Sequence, residues 1–124
     1  MSLILVVEDN EKNMKLLRDV LQASGHEVLE AVTAEIGIEL ALARKPDLVL
    51  MDIQLPGMNG IQALQVLRAD PSTQAIPVVA VTASVMQQDR KQFTEAGFNA
   101  YIAKPISVKE FRQCVADMLA GVKQ

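Results

Sequence analysis

The chain has no tryptophan, one tyrosine and three phenylalanines in 124 residues. Its core must therefore be aliphatic. The only cysteine is Cys114, so no internal disulfide is possible, and such usage fits a reducing cytoplasm. The only histidine is His26, which stands before a short apolar run without metal-ligand partners, an argument against zinc. No basic run occurs, the net charge is −3 and the pI is about 5.1. Direct binding to nucleic acid is therefore not expected. No apolar run approaches the roughly 18 residues that a membrane span needs. The N-terminus lacks the charged region and small-residue cleavage site of a signal peptide. Repeats, low-complexity segments and linkers are also missing.

Half of the residues are hydrophobic, too many for a disordered chain. A chain of this length is expected to form one domain, residues 1–124, and to bury roughly two-thirds of its unfolded surface without staples. Five short aliphatic runs alternate with helical patterns. The runs are LILVV (3–7), EVLEA (27–31), LVLMD (48–52), PVVAV (77–81) and AYIA (100–103). The first, third and fourth are almost continuously apolar, as strands covered on both faces of a parallel sheet are.

Helices are predicted over about 11–24, 34–45, 60–69, 85–96 and 107–120. Asn10 and Ser107 are the candidate N-caps of the first and last. Cys114 reads as a residue on the core side of the last helix. The fourth helix has only Val85, Met86, Phe93 and Ala96 to face inward, and a loosely anchored helix moves more easily. The alternation predicts an α/β fold with right-handed crossovers. It is a flavodoxin-like (βα)5 arrangement, a doubly wound parallel five-stranded sheet in the order 2-1-3-4-5.

In such sheets, ligands bind outside the carboxyl ends of the strands, at the switch between the first and third. The first strand is followed by Glu8, Asp9 and Asn10, and the third ends with Asp52. The fourth leads into Thr82, Ala83 and Ser84, and the fifth into Lys104 and Pro105. Glu8, Asp9 and Asp52 should converge, repelling one another and raising one another's pKa. A hard divalent cation relieves that repulsion, and Mg²⁺ suits a few carboxylates on an open rim. Together with Lys104 and the Thr82 hydroxyl, the set suits a phosphoryl group on Asp52.

Each residue alone has a plainer reading. Glu8 and Asp9 are the acids expected near a helix N-terminus. Asp52 suits a turn before Pro56-Gly57. Thr82 is a local cap, and Lys104 a solvated lysine. Five such residues at one end of the strands, with none at the other, argue against coincidence.

The segments LVVEDN (5–10), PDLVLMDIQLPGMNG (46–60), IPVVAVTA (76–83) and YIAKPIS (101–107) resemble the receiver domain of two-component response regulators. VEDNEKNMKL and YIAKPIS look most like CheY-like single-domain regulators of the DivK type, which act in bacterial cell division and development. Receivers of hybrid histidine kinases are similar too. The resemblance implies that Asp52 is the phosphoacceptor, charged from a sensor histidine kinase or a histidine phosphotransfer protein. It implies that Glu8, Asp9, Asp52 and the backbone carbonyl of Gln54 hold Mg²⁺, with Mn²⁺ or Ca²⁺ as substitutes. Lys104, Thr82 and the backbone N–H of Ala83 then bind phosphoryl oxygens. Thr82 and Tyr101 are the implied switch residues, and the Lys104-Pro105 bond is expected to be cis. Gln54 and Ser84 flank the phosphoryl group and are placed to set its lifetime. Many family members have two aspartates where this chain has Glu8-Asp9, which lengthens one ligand arm and makes its contact to Mg²⁺ water-mediated.

The expected protein is a signalling phosphoacceptor, not an enzyme, without an output domain. It acts as a monomer or weak dimer through a downstream protein target, on the surface of the fourth helix, fifth strand and fifth helix. A Mg²⁺-dependent aspartyl-phosphate phosphatase is the enzymatic alternative. The haloacid dehalogenase type needs a second aspartate two residues past the nucleophile, where this chain has Gln54. A flavin-binding module needs a Ser/Thr/Gly-rich loop after the first strand, where this chain has EDNEKN. A receiver-like fold that is never phosphorylated has no use for the acid, hydroxyl and lysine set.

Overall fold

The computed structural model describes residues 2–83 and 87–121, with the backbone alone for 87–90. Strands and helices alternate: β1 (Leu3–Val7), α1 (Glu11–Ala23), β2 (Glu27–Ala31), α2 (Ala34–Arg44), β3 (Leu48–Asp52), α3 (Gly60–Ala69), β4 (Val78–Thr82), α4 (Gln87–Ala96), β5 (Ala100–Ala103) and α5 (Val108–Leu119). All strand pairs are parallel, in the order β2-β1-β3-β4-β5. The predicted flavodoxin-like order is therefore the observed one.

Side chains of a strand point alternately to its two faces, and this divides the core in two. Ile4, Val6, Leu50, Val79, Val81 and Ile102 meet Leu17 and Leu21 of α1 and Phe111 and Val115 of α5. Leu5, Val7, Val49, Met51 and Ala80 meet Ala34 and Ala41 of α2, Leu64 and Leu67 of α3 and Phe93 of α4. Every residue of β3 and β4 is buried, which explains the unbroken apolar runs that lead up to Asp52 and Thr82. Burying each such aliphatic side chain contributes about 1.5–3 kcal/mol. Cys114 lies in the first of these layers, 3% exposed, and burial pushes its thiol up to about 11, so it is packing and not a nucleophile.

The helices start on side-chain caps that satisfy otherwise orphaned N–H groups. The side chain of Asn10 accepts from Asn13 N–H, Thr33 from Ile36 N–H and Ser107 from Glu110 N–H. Asn59 and Gln62 form a reciprocal capping box at α3.

Several boundaries differ from the sequence reading, α1 and α5 only in that Ser24, Ser107 and Ala120 are caps and not helical residues. Strand β4 spans 78–82, not 77–81. Pro77 has no N–H to give to a ladder, and only its carbonyl joins, accepting from Val49 N–H at 3.0 Å. The strand gains Thr82, which pairs with Ala103. Helix α2 stops at Arg44, because Lys45 takes a left-handed conformation, φ 44°, and closes the helix through its N–H to Ala41 O. Helix α4 begins at Gln87 among the described residues; Val85 and Met86, two of its expected inward residues, lie outside them. Phe93 is buried and Ala96 half-buried, as expected. Among the described residues, no helix is long and apolar enough to cross a membrane.

Candidate functional site

The register brings the strand ends to one rim. Val7 of β1 pairs with Met51 of β3, Asp52 with Val81 of β4, and Thr82 with Ala103 of β5. The residues just past those pairs are Glu8, Asp52, Thr82 and Lys104. Glu8, Asp9 and Asp52 each offer a carboxylate oxygen, all within 4.8 Å of one another. Asp9 is exposed, whereas Glu8 is 1% and Asp52 3% exposed.

Two groups hold the Asp52 carboxylate. Gln54 N–H donates to Oδ1 at 3.0 Å, and Lys104 Nζ donates to Oδ2 at 3.1 Å. Lys104 Nζ also lies 3.1 Å from Glu8 Oε1. That contact is an ion pair without hydrogen-bond geometry, so Glu8 Oε1 is buried with no hydrogen-bond partner. The other oxygen, Oε2, accepts from Asn10 N–H at 3.1 Å. Asn10 is in turn fixed by its side chain, which caps α1 at Asn13 N–H, 3.0 Å away. The sequence marked Asn10 as a cap. Its second role, steering Glu8, has no sequence pattern because it uses a backbone N–H.

These positions dictate the electrostatics. Burial pushes the Glu8 carboxyl up to about 7; the bond from Asn10 opposes this, and the neighbouring Asp52 adds to it. The expected rise from mutual repulsion is therefore present at Glu8, with loss of solvent as its larger cause. Burial alone would lower the Lys104 ammonium, but its hydrogen bond to Asp52 and its ion pair with Glu8 prevail and raise its pKa. Lys104 is charged at any neutral pH.

A hard divalent cation fits this donor set. The ligands are all oxygen, and one of them, Glu8 Oε1, is buried without a hydrogen bond. His26 is elsewhere, accepting from Ser2 N–H at its Nδ1, 3.3 Å. Thr82 is buried, and its backbone carbonyl accepts from Lys104 N–H at 2.8 Å. Ala83 and Gln54 are exposed at the rim. Tyr101 is half-buried against the layer under α2, α3 and α4. The Lys104-Pro105 bond is cis, as the resemblance implied. Ser84 lies outside the described residues. A groove of about 670 Å³ between α1 and α5, lined by Val20, Leu21, Phe111 and Arg112 among others, includes none of the acids.

A parallel sheet with acids, a buried threonine and a lysine gathered at its carboxyl rim defines a class of signalling domain. The profile of the response regulator receiver domain matches residues 4–116, and the chain belongs to that family. Within it, the chain is 43% identical over 116 residues to the polar-differentiation response regulator DivK of Brucella anthropi, covering 94% of each. It is similar in structure to a putative response regulator from Chloroflexus aurantiacus, with a TM-score of 0.91 and 30% identity over 96% of this chain and 98% of that one. The receiver domain of the sensor histidine kinase PA1611 from Pseudomonas aeruginosa gives a TM-score of 0.88 at 30% identity, with the same coverage. That receiver has a magnesium ion coordinated in its active-site cleft.

Proposed function

We propose that this receiver accepts a phosphoryl group on Asp52 from a phosphohistidine of a sensor histidine kinase or a histidine phosphotransfer protein. One observation carries the reading. The Asp52 carboxylate is fixed at the strand end by Gln54 N–H and Lys104, beside a buried oxygen of Glu8 that is ion-paired to the same lysine but accepts no hydrogen bond. Glu8, Asp9, Asp52 and the Gln54 carbonyl hold Mg²⁺, with Mn²⁺ or Ca²⁺ able to take its place. When bound, the cation neutralises charge on the transferring group.

An oxygen of Asp52 attacks phosphorus in line, the N–P bond of phosphohistidine breaks, and an acyl phosphate forms on Asp52. Lys104, the Ala83 N–H and the Thr82 hydroxyl bind the phosphoryl oxygens. Thr82 then moves toward the new group, and Tyr101 turns inward after it. This shifts the population of two states of the α4, β5 and α5 surface. Gln54 and Ser84 govern access of water and hence the lifetime. The output is read by a downstream protein in the cytoplasm, and the likeness to DivK favours control of cell division or development. On this reading the protein is a signalling phosphoacceptor and not an enzyme. A phosphatase of the haloacid dehalogenase type is disfavoured by Gln54, which stands where that chemistry needs an aspartate. The likeness to the PA1611 receiver favours one further reading, a receiver segment of a hybrid kinase.

Incubation with acetyl phosphate and Mg²⁺, read by intact mass, tests this reading. One phosphoryl group should be gained by the wild-type chain, and none in EDTA or by Asp52→Asn. Equal labelling of Asp52→Asn would defeat the assignment, and steady turnover of p-nitrophenyl phosphate would favour the phosphatase.

A further inference from the structure

Gly60 is buried at the first position of α3. It is not among the glycines with positive φ, so its backbone would accept alanine. Alanine is also favoured over glycine by about 1 kcal/mol inside a helix, so neither backbone strain nor helix formation explains a glycine here. Space does. A Cβ at this position would overlap the backbone carbonyl oxygen of Asp52, 3.0 Å from Ile53 Cα and 3.1 Å from the Asp52 carbonyl carbon. These are backbone atoms that cannot rotate aside. Gly60 N–H donates to Ile53 O at 3.1 Å, and Ile53 N–H donates to Val81 O at 3.1 Å. The next N–H, that of Gln54, is the one that fixes Asp52 Oδ1.

We propose that Gly60 is a positioning residue. Its missing side chain lets the first turn of α3 rest on the Asp52–Ile53 backbone and so sets the place of the Asp52 carboxylate and the Gln54 peptide. The inference rests on the functional reading above. A Cβ must either lift the first turn of α3 or turn the Asp52–Ile53 peptide. Both disturb the turn from Asp52 to Gln54, which carries the phosphoacceptor and one implied cation ligand. The remaining buried residues of α3, Ala63, Leu64 and Leu67, lie further along the helix and can keep their packing.

The test compares Mg²⁺ binding by calorimetry in the wild type, Gly60→Ala and Leu67→Ala. Leu67→Ala destabilises the same helix from its other end and serves as the control. Gly60→Ala should lose about 10- to 100-fold in Mg²⁺ affinity, as supporting residues of metal sites do, and a similar factor in phosphoryl uptake. Leu67→Ala should stay within about twofold of the wild type. Unchanged Mg²⁺ affinity in Gly60→Ala, or an equal loss in Leu67→Ala, would overturn the inference and leave the functional reading standing. A wild type that binds no Mg²⁺ would overturn both. If Gly60→Ala does not fold, amide NMR of the wild type decides. The Gly60 and Ile53 amides should shift with Mg²⁺ at the same midpoint as Gln54, and stationary Gly60 and Ile53 signals would sink the proposal.

Discussion

At the rim, burial holds the Glu8 carboxyl at about 7, against 4.5 for an ordinary glutamate. The sign of its effect follows from linkage. The folded chain keeps the proton where the unfolded chain has lost it, so this group favours folding below about 4.5, and the benefit disappears as pH rises through 7. The full swing is about 3 kcal/mol. Thermal melts of metal-free protein should show Glu8→Gln gaining stability relative to the wild type between pH 4.5 and 7. A constant difference across that range would contradict the assignment. The same proton competes with a cation. Mg²⁺ affinity should therefore rise with pH up to about 7, and calorimetry in buffers of different ionisation enthalpy should detect proton release below it.

Among the elements, α4 and its neighbours show where sequence reading stops. Strands β1, β3 and β4 were legible because burial on both faces leaves nearly unbroken apolar runs, and the helices because their caps and stripes are local. The convergence of Glu8, Asp52 and Lys104 followed from strand ends alone. Arg68 had no such signal. It stands in the last turn of α3, and its guanidinium donates to Gln74 O, Ile76 O, Gly97 O and the Asn99 side chain. Asn99 Oδ1 also accepts from Val78 N–H at the start of β4. These partners lie up to 31 residues away, and most are carbonyls that any sequence supplies. The burial depth of Glu8 was hidden for a similar reason, since a covering surface is a property of the assembled rim. The staple of Arg68 and the edge-to-face pair of Phe93 and Phe98, centroids 6.0 Å apart, anchor the C-terminal end of α4. Arg68→Met should lower stability by about 3 kcal/mol in urea unfolding, since it takes a charged donor away from three part-buried acceptors, Ile76 O, Gly97 O and Asn99 Oδ1. A change under about 0.5 kcal/mol, the size expected of a surface substitution, would mean that the staple is dispensable.

At the scale of the molecule, a net charge of −3 and three acids at one rim predict a fold that cations stabilise. A ligand that binds only the folded state stabilises it by mass action. Mg²⁺ at about 100 times its dissociation constant should add about 3 kcal/mol, or roughly 10 °C in Tm for a domain of this size. EDTA should abolish the gain. An equal gain in a variant with Glu8 and Asp9 both neutralised would place the cation elsewhere.

The central claim is that the phosphoryl group is carried by Asp52, and chemical trapping tests it most directly. After treatment with acetyl phosphate and Mg²⁺, borohydride reduces an acyl phosphate to an alcohol and turns the aspartate that carried it into homoserine. Peptide mapping should find homoserine at position 52, dependent on Mg²⁺. Homoserine at position 9, or a phosphoryl group retained elsewhere with Asp52 intact, would contradict the account.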